Sequence, residues 1–283
     1  MPDLRPPLDA LYASFDHPDA AADPISLVRP FAASEDREIA GFCAAALAFG
    51  RVGSVLQSIS SLFAVMGPRP AAFVRSFVPD EQRSRFEPLV HRWTRGPDLM
   101  ALVWVLQSML EQRGSIEACF AAGDDPSSPD IGPALDAFCA RALKTDLRPV
   151  YGRVPRRPGV CYFFPRPSAG SACKRLNLFL RWMVRRDRVD LGVWNAVSAS
   201  RLVVPLDTHV IRLGQCLRLT RYRSPGWKMA ADITASLRRL DPADPVKYDF
   251  SLCHVGMMGA CGYRTGRRDR QCPLRGCCHP TPR

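Results

Sequence analysis

Apolar residues recur at three- and four-residue spacing in one segment of this chain after another, and no segment alternates apolar and polar residues over a sustained length. The first spacing places apolar side chains along one face of an α-helix, whereas alternation is typical of a half-buried strand. Gly marks the ends of several segments, as at Gly67 after residues 53–66 and at Gly114 after residues 99–112. The sequence therefore predicts an all-α protein.

The helical segments fall into regions of different composition. Five prolines between positions 144 and 170 exclude a long helix or a central strand there. In order, the predicted regions are a lead-in (1–33), a helical region (34–143), a basic Pro-rich loop (144–170), a second helical region (171–260) and a tail rich in Cys and Arg (261–283). In the second helical region we expect helices over residues 172–186, 193–199, 225–240 and 246–259.

Positive charge is concentrated in the second half of the chain. The formal net charge is +12, and residues 141–190 alone hold 13 Arg and Lys against 3 Asp and Glu. Arg binds phosphate through its planar guanidinium, so DNA is the expected partner, although a generally Arg-rich proteome would give the same balance. No apolar run is long enough to cross a bilayer and no signal peptide opens the chain, so we expect a cytoplasmic protein without a membrane partner. We further expect a monomer.

The first candidate site residue lies in residues 204–213. A Pro-Leu-Asp entry leads into a segment with apolar residues at helical spacing, so Asp207 is predicted to be the N-cap of a buried helix. Capping alone would explain this carboxylate. His209 and Arg212 follow in the same helix and are candidate DNA contacts, and His209 would equally fill a packing gap near the surface.

Lys174 opens an Arg-rich helix ahead of Asp207 in the sequence. A Lys that is partly desolvated among arginines is a plausible amine nucleophile, able to form a Schiff base with a sugar carbon. A carboxylate beside it would stabilise an oxocarbenium-like charge. The alternative is a solvated surface lysine. Further candidate DNA contacts on this helix are Arg175, Arg181, Arg185 and Arg186.

A group of cysteines in the tail forms the second candidate site. The chain has eleven Cys, and in a reducing compartment these are more often buried thiols or metal ligands than disulfides. Closely spaced thiolates suit zinc or an iron–sulfur cluster, and reduced thiols are the alternative. The candidate metal ligands are Cys261, Cys272, Cys277 and Cys278, with Cys253 and His254 upstream.

Aromatic residues alternate with arginines in the Pro-rich loop. They would stack on an extruded base or form a hydrophobic plug under the loop, and the sequence favours neither. They are Tyr151, Tyr162, Phe163 and Phe164.

The order of these features resembles the helix-hairpin-helix–GPD superfamily of DNA base-excision glycosylases. The run PLDTHV, which contains Asp207, is similar to the segment around the essential Asp of the endonuclease III branch. The interval from Lys174 to Asp207 is similar to that in archaeal 8-oxoguanine glycosylases. The runs CKRLN (173–177), RWMVR (181–185) and DPVKYDF (244–250) resemble an uncharacterised bacterial family known as a conserved domain of unknown function.

The glycosylase resemblance covers roughly residues 171–278 and implies a two-lobed helix-hairpin-helix–GPD fold with lobes that are discontinuous in sequence. It implies excision of a damaged base from DNA, with Asp207 as the catalytic carboxylate, Lys174 as the nucleophile of a lyase step, and a 4Fe-4S cluster on the tail cysteines. The Leu-Pro-Gly-Val-Gly hairpin of that family is absent, and only Gly192 would supply a comparable phosphate-binding turn. The cysteine spacing also differs, since the second ligand position falls on Asp269.

Two further functions fit the same sequence. One is a non-enzymatic DNA- or RNA-binding protein that keeps the fold without the chemistry, and the other is an accessory factor in RNA modification. A shared concave site for Lys174 and Asp207 would favour the enzyme, because covalent catalysis needs near-contact geometry. A Lys174 side chain in solvent would favour the binding protein.

Overall fold

The computed structural model describes residues 3–17, 23–259 and 272–278. These residues form thirteen α-helices and two short strands, which confirms the prediction of an all-α protein. The first eight helices are α1 (Arg5–Phe15), α2 (Ser34–Leu47), α3 (Val52–Met66), α4 (Pro70–Arg75), α5 (Pro79–Phe86), α6 (Gly96–Arg113), α7 (Ile116–Ala121) and α8 (Gly132–Ala142). The remaining five are α9 (Arg148–Tyr151), α10 (Lys174–Val184), α11 (Thr208–Cys216), α12 (Trp227–Arg238) and α13 (Asp249–Met257).

Helix ends follow the local signals in most places. α3 and α6 end at Gly67 and Gly114, whose φ angles of 75° and 84° are ones that glycine adopts without strain. The prediction of a helix over residues 193–199 was wrong, because that stretch is irregular, with a bend at residues 196–197, and only Ala199–Arg201 forms a 3₁₀ turn. α10 begins at Lys174, two residues later than predicted.

A β-hairpin interrupts the helical pattern before α6. Strands β1 (Val90–His91) and β2 (Thr94–Arg95) pair antiparallel, and Arg92 and Trp93 form the turn between them. Strands of two residues are too short to produce an alternating pattern, so the sequence did not indicate this hairpin.

Helix α2 is the centre of the core. Every residue from Glu38 to Leu47 is buried, and α10 packs along this helix. The Met183 side chain of α10 packs against Gly41, where an added Cβ would lie 2.8 Å from the Met183 Cε atom. The absence of a side chain at Gly41 thus leaves room for the end of Met183 at this crossing.

Two buried acids of α2 bind the N-termini of other helices. The Asp36 carboxylate accepts a hydrogen bond from the Ala71 N–H in α4 at 2.8 Å, and the Glu38 carboxylate accepts from the Ile116 N–H in α7 at 2.9 Å. The first N–H groups of a helix have no partner within the helix, so these carboxylates satisfy them and fix the packing directions. Burial raises the pKa of Glu38.

A second helix pair, α11 and α13, packs beside the first. The ion pair between Arg181 and Asp249 joins α10 to α13, and the N-terminal turns of α10 and α11 border the same depression. Among the described residues, no helix combines the length and the apolar character that crossing a bilayer requires.

Candidate functional site

A cavity of about 510 Å³ opens between the two helix pairs. Its walls come from the turn between α2 and α3, the first turns of α10 and α11, and one face of α13. Lys174 and Asp207 both line it. The structure thus brings together the two residues that the sequence singled out, and we call this cavity the cleft.

Lys174 is the first residue of α10 and is half-buried. Its Nζ donates to the carbonyl oxygen of Ala48, at the end of α2, at 3.5 Å. Cys173 precedes it with a φ of 49°, which is a left-handed conformation, and this turn directs the chain into the helix. The amine therefore lies in the cleft wall and is not a solvated surface lysine.

Asp207 is the N-cap of α11, as predicted. Its Oδ1 accepts hydrogen bonds from the His209 N–H at 2.8 Å and the Val210 N–H at 2.7 Å. Its Oδ2 accepts a hydrogen bond from the Cys253 thiol, at a sulfur–oxygen distance of 2.9 Å. The capping interaction leaves Oδ2 on the side of α13, so this side chain both caps the helix and faces the cleft.

The Cys253 thiol is held in its neutral form. Burial raises its pKa well above the ordinary value, the negative charge of Asp207 raises it further, and the positive charge of Lys174 lowers it. Cys253 also lines the cleft. The thiol thus experiences the charges of both candidate residues, and it remains protonated as the donor to Asp207.

Two further groups of α13 line the cleft with buried polar atoms that lack a partner among the described residues. Burial raises the pKa of Asp249 to about 7 against the opposing effect of Arg181, and the Asp249 Oδ1 has no hydrogen bond. His254 donates from Nδ1 to the Phe250 carbonyl at 2.7 Å, which leaves its Nε2 as an unpaired acceptor. The sequence singled out His254 only as a neighbour of the tail cysteines and did not indicate Asp249, because the place of both groups in the cleft depends on the packing of α13.

Three of the arginines predicted to contact DNA lie in the interior. Arg181 forms ion pairs with Asp190 and Asp249, and Arg185 forms one with Asp190. Arg175 donates to the Ala46 carbonyl at 2.8 Å and is 8% exposed. This corrects the expectation that these guanidiniums face phosphate, because their donors are used within the core. They hold α10 in place.

Of the other residues predicted to contact DNA, Gly192 is used in packing, whereas Arg186, Arg212 and His209 are accessible. The Gly192 N–H donates to the Trp182 carbonyl at 3.1 Å, so this amide does not serve as a phosphate-binding turn, which corrects that expectation. Packing requires glycine at this position. The φ angle is 56°, and an added Cβ would lie only 2.5 Å from the Arg186 Cβ. Arg186 and Arg212 are exposed, and His209 lines the cleft.

The aromatic residues of the Pro-rich loop also have different environments. Phe163 and Phe164 are each 1% exposed and belong to the core, whereas the ring of Tyr162 is 39% exposed. The Tyr151 hydroxyl donates to the Asp98 carboxylate at 2.8 Å. The plug interpretation therefore fits the two phenylalanines, and a stacking role stays open for Tyr162.

The predicted metal ligands are only partly described. Cys272 is buried and Cys277 and Cys278 are half-buried, whereas Cys261 lies outside the described residues. Within the described part of the chain, no three His, Cys, Asp or Glu side chains gather as a metal site would require. The thiols of the described residues therefore do not by themselves form a site for an iron–sulfur cluster.

Residues 23–258 match the model of a family described as a protein of unknown function (DUF2400). No curated protein and no solved structure matches the chain. The matched range covers most of the sequence and includes Lys174, Asp207 and Cys253, so it contains the three neighbouring polar groups of the cleft. The chain belongs to the DUF2400 family.

Proposed function

We propose that this protein excises a damaged base from DNA and that Lys174 forms a Schiff base with the exposed sugar. One observation carries the proposal: an amine and a carboxylate from two different helices line one cavity, with the thiol of Cys253 within the electrostatic reach of both. The proposal includes a two-lobed helix-hairpin-helix–GPD arrangement and DNA as the partner.

The size and lining of the cleft support this chemistry. A volume of about 510 Å³ lies within the range of pockets that take a small molecule, and an extruded nucleotide is of that class. The Asp207 carboxylate would stabilise positive charge on the sugar as the bond to the base weakens. It is rigidly held, because two backbone N–H groups and one thiol fix its orientation.

In the proposed reaction, the lone pair of the Lys174 Nζ forms a bond to C1′ of the sugar. The bond from C1′ to the base breaks, and the base leaves with the bonding electrons and takes up a proton. The nitrogen then loses a proton. The C1′–O4′ bond breaks, its electrons stay on O4′, which takes up a proton, and the C1′=N double bond of the protonated Schiff base forms. Removal of a proton from C2′ would then break the C3′–O bond by β-elimination.

Borohydride trapping tests the proposal, because the hydride reduces the Schiff base to a stable amine link. With a panel of modified-base duplexes, the wild-type protein is expected to trap at least one substrate. Lys174→Gln is expected to abolish trapping with DNA binding retained, because the glutamine amide keeps the length and polarity of the side chain but is not a nucleophile. Lys228→Gln, on the exposed face of α12, is a matched control and keeps trapping. Trapping by the Lys174→Gln protein would remove Lys174 from the mechanism.

A non-enzymatic nucleic-acid-binding protein is the second candidate function, and one observation favours it. Both oxygens of the Asp207 carboxylate already accept hydrogen bonds, so a structural role accounts for them. This candidate predicts DNA binding without base release or trapping on any substrate of the panel. It also predicts that replacing Lys174 changes only the affinity.

A further inference from the structure

Three aromatic rings form a contiguous cluster at one end of the cleft. The ring centroids of Phe49, Trp93 and Tyr162 lie 4.9, 5.1 and 5.2 Å apart, and we call these three residues the aromatic platform. Trp93 is 54% exposed and Tyr162 is 39% exposed, whereas Phe49 is half-buried and forms part of the cleft wall. The platform is therefore a partly exposed apolar surface that continues into the cavity. An exposed Trp within such a cluster is typical of a binding surface.

The platform is built by the β-hairpin that the sequence did not reveal. Trp93 lies in the turn, and the preceding residue, Arg92, has a φ of 56°, which is unfavourable for a residue with a side chain. Such a conformation persists where the surrounding structure imposes it. Gly50, in the turn between α2 and α3, packs against this hairpin. It has a φ of 116°, and a Cβ there would lie 3.2 Å from the Arg92 side chain.

His91 fixes the hairpin to the cleft wall. Its Nε2–H donates to the Phe49 carbonyl at 2.9 Å, and the Ser58 hydroxyl donates to its Nδ1 at 2.9 Å. Burial lowers the pKa of His91, so the neutral ring that accepts from Ser58 is favoured. The hairpin that carries Trp93 and the segment that carries Phe49 are thus joined through a buried residue.

Exposed arginines adjoin the platform residues along the chain. Arg51, Arg92 and Arg95 are exposed and lie within two residues of a platform ring in the sequence, and we call them the arginine rim. Among the described residues, no ion pair joins any of them to a carboxylate. The Arg92 guanidinium carbon lies 5.3 Å from the Trp93 ring centroid, and that of Arg175 lies 3.8 Å from the Tyr162 centroid. Both exposed rings therefore carry a guanidinium contact, which places positive charge directly beside the aromatic surface.

We propose that the aromatic platform stacks unpaired nucleobases of a nucleic acid strand whose phosphates contact the arginine rim. Aromatic rings beside arginines are the arrangement that binds single strands, because every base offers a π-face and every nucleotide a phosphate. Bases within a duplex have both faces covered by their neighbours, so the platform requires unpaired bases. This inference rests on the proposed function for its class of partner and adds the form of nucleic acid that binds at this end of the cleft.

Fluorescence titration of the full-length protein with a short oligothymidylate tests the inference. The oligonucleotide is expected to quench the fluorescence of Trp93. Trp93→Ala is expected to weaken binding about 5- to 150-fold at fixed salt, which is the range for the loss of one base–aromatic stack. Trp93→Phe keeps an aromatic face and is expected to bind nearly as the wild type does. Trp104→Phe, which alters an indole in α6 outside the platform, is the control and is expected to leave affinity and quenching unchanged.

Several results would overturn the inference. One is equal affinity of the Trp93→Ala and wild-type proteins. Another is quenching of the same size by inorganic polyphosphate, which carries the charge without bases. A third is loss of self-association in Trp93→Ala without loss of oligonucleotide binding, which would identify a protein-docking surface.

The titration tests the aromatic platform separately from the excision reaction. The titration contains no damaged base and no borohydride, so Lys174→Gln is expected to keep the quenching. Failure of trapping with intact quenching would reject the excision reaction alone. Trapping with unchanged Trp93→Ala binding would reject the platform alone.

Discussion

Asp207 has an observed role as a helix cap and a proposed role in catalysis, and a pair of substitutions can separate them. In Asp207→Asn the amide oxygen still accepts from the His209 and Val210 N–H groups, whereas in Asp207→Ala both hydrogen bonds are lost. Asn and Asp are comparable as N-caps, and removal of the capping side chain costs about 0.5–2 kcal/mol. The neutral amide loses the attraction of a carboxylate to the helix N-terminus, which is about 0.3–1 kcal/mol at an exposed site. We therefore expect Asp207→Asn to be less destabilised than Asp207→Ala.

The proposed catalytic role predicts a different order for the rates of the two variants. A neutral amide cannot stabilise positive charge on the sugar, so both variants are expected to release base more slowly, by about 10²- to 10³-fold, the usual cost of losing one preorganised electrostatic contact. Urea unfolding measures the free energy of unfolding. Single-turnover kinetics on a duplex that the wild-type protein traps measures the rate of base release. A wild-type rate in Asp207→Asn would refute the reasoning, because it would leave capping as the only role of this side chain. Asp232→Asn, on α12, serves as a matched control for the loss of one carboxylate.

Three further predictions concern the surroundings of the cleft. Arg181→Met is expected to lower the free energy of unfolding by about 3–5 kcal/mol, because it leaves Asp190 and Asp249 as buried carboxylates without this partner. Urea unfolding measures this free energy. A loss below about 1 kcal/mol would contradict a stabilising role of the buried ion pairs. Alkylation of Cys253 by iodoacetamide is expected to begin at higher pH than that of an ordinary thiol, because burial and the charge of Asp207 raise its pKa and only the thiolate reacts. Peptide mapping over a pH series should show the onset at lower pH in Asp207→Asn, and an unchanged onset would argue against coupling of the two groups. If the tail holds an iron–sulfur cluster, protein purified without oxygen should show visible charge-transfer absorbance that Cys272→Ser removes, and a colourless protein without bound iron would reject the cluster.

Local signals predicted much of the helical structure. The N-cap at Asp207 depends on hydrogen bonds that reach at most three residues along the chain, so the sequence alone was sufficient. The ends of α3 and α6 at Gly67 and Gly114 depend likewise on the conformational freedom of one residue. The hairpin that carries Trp93 escaped prediction, because its strands span only two residues each.

The arginines of α10 show where sequence reasoning stops. Charge composition counts a buried Arg and a solvated Arg alike, and Arg181 and Arg185 contribute to a basic segment while they neutralise carboxylates inside the core. The partner of Arg181 in α13 lies 68 residues further along the chain. Such a pairing depends on how two helices pack, which no local pattern encodes.

The sequence by itself determined the helical class and the N-cap at Asp207, and it singled out Lys174 as a candidate amine. Only the tertiary structure decided that the two side chains line one cleft, that Cys253 donates to a carboxylate 46 residues away, and that an aromatic platform borders the cavity. The physical reason is the distance along the chain over which each interaction acts. Helix periodicity and capping act over a few residues, whereas a site requires close packing of segments that are distant in the chain.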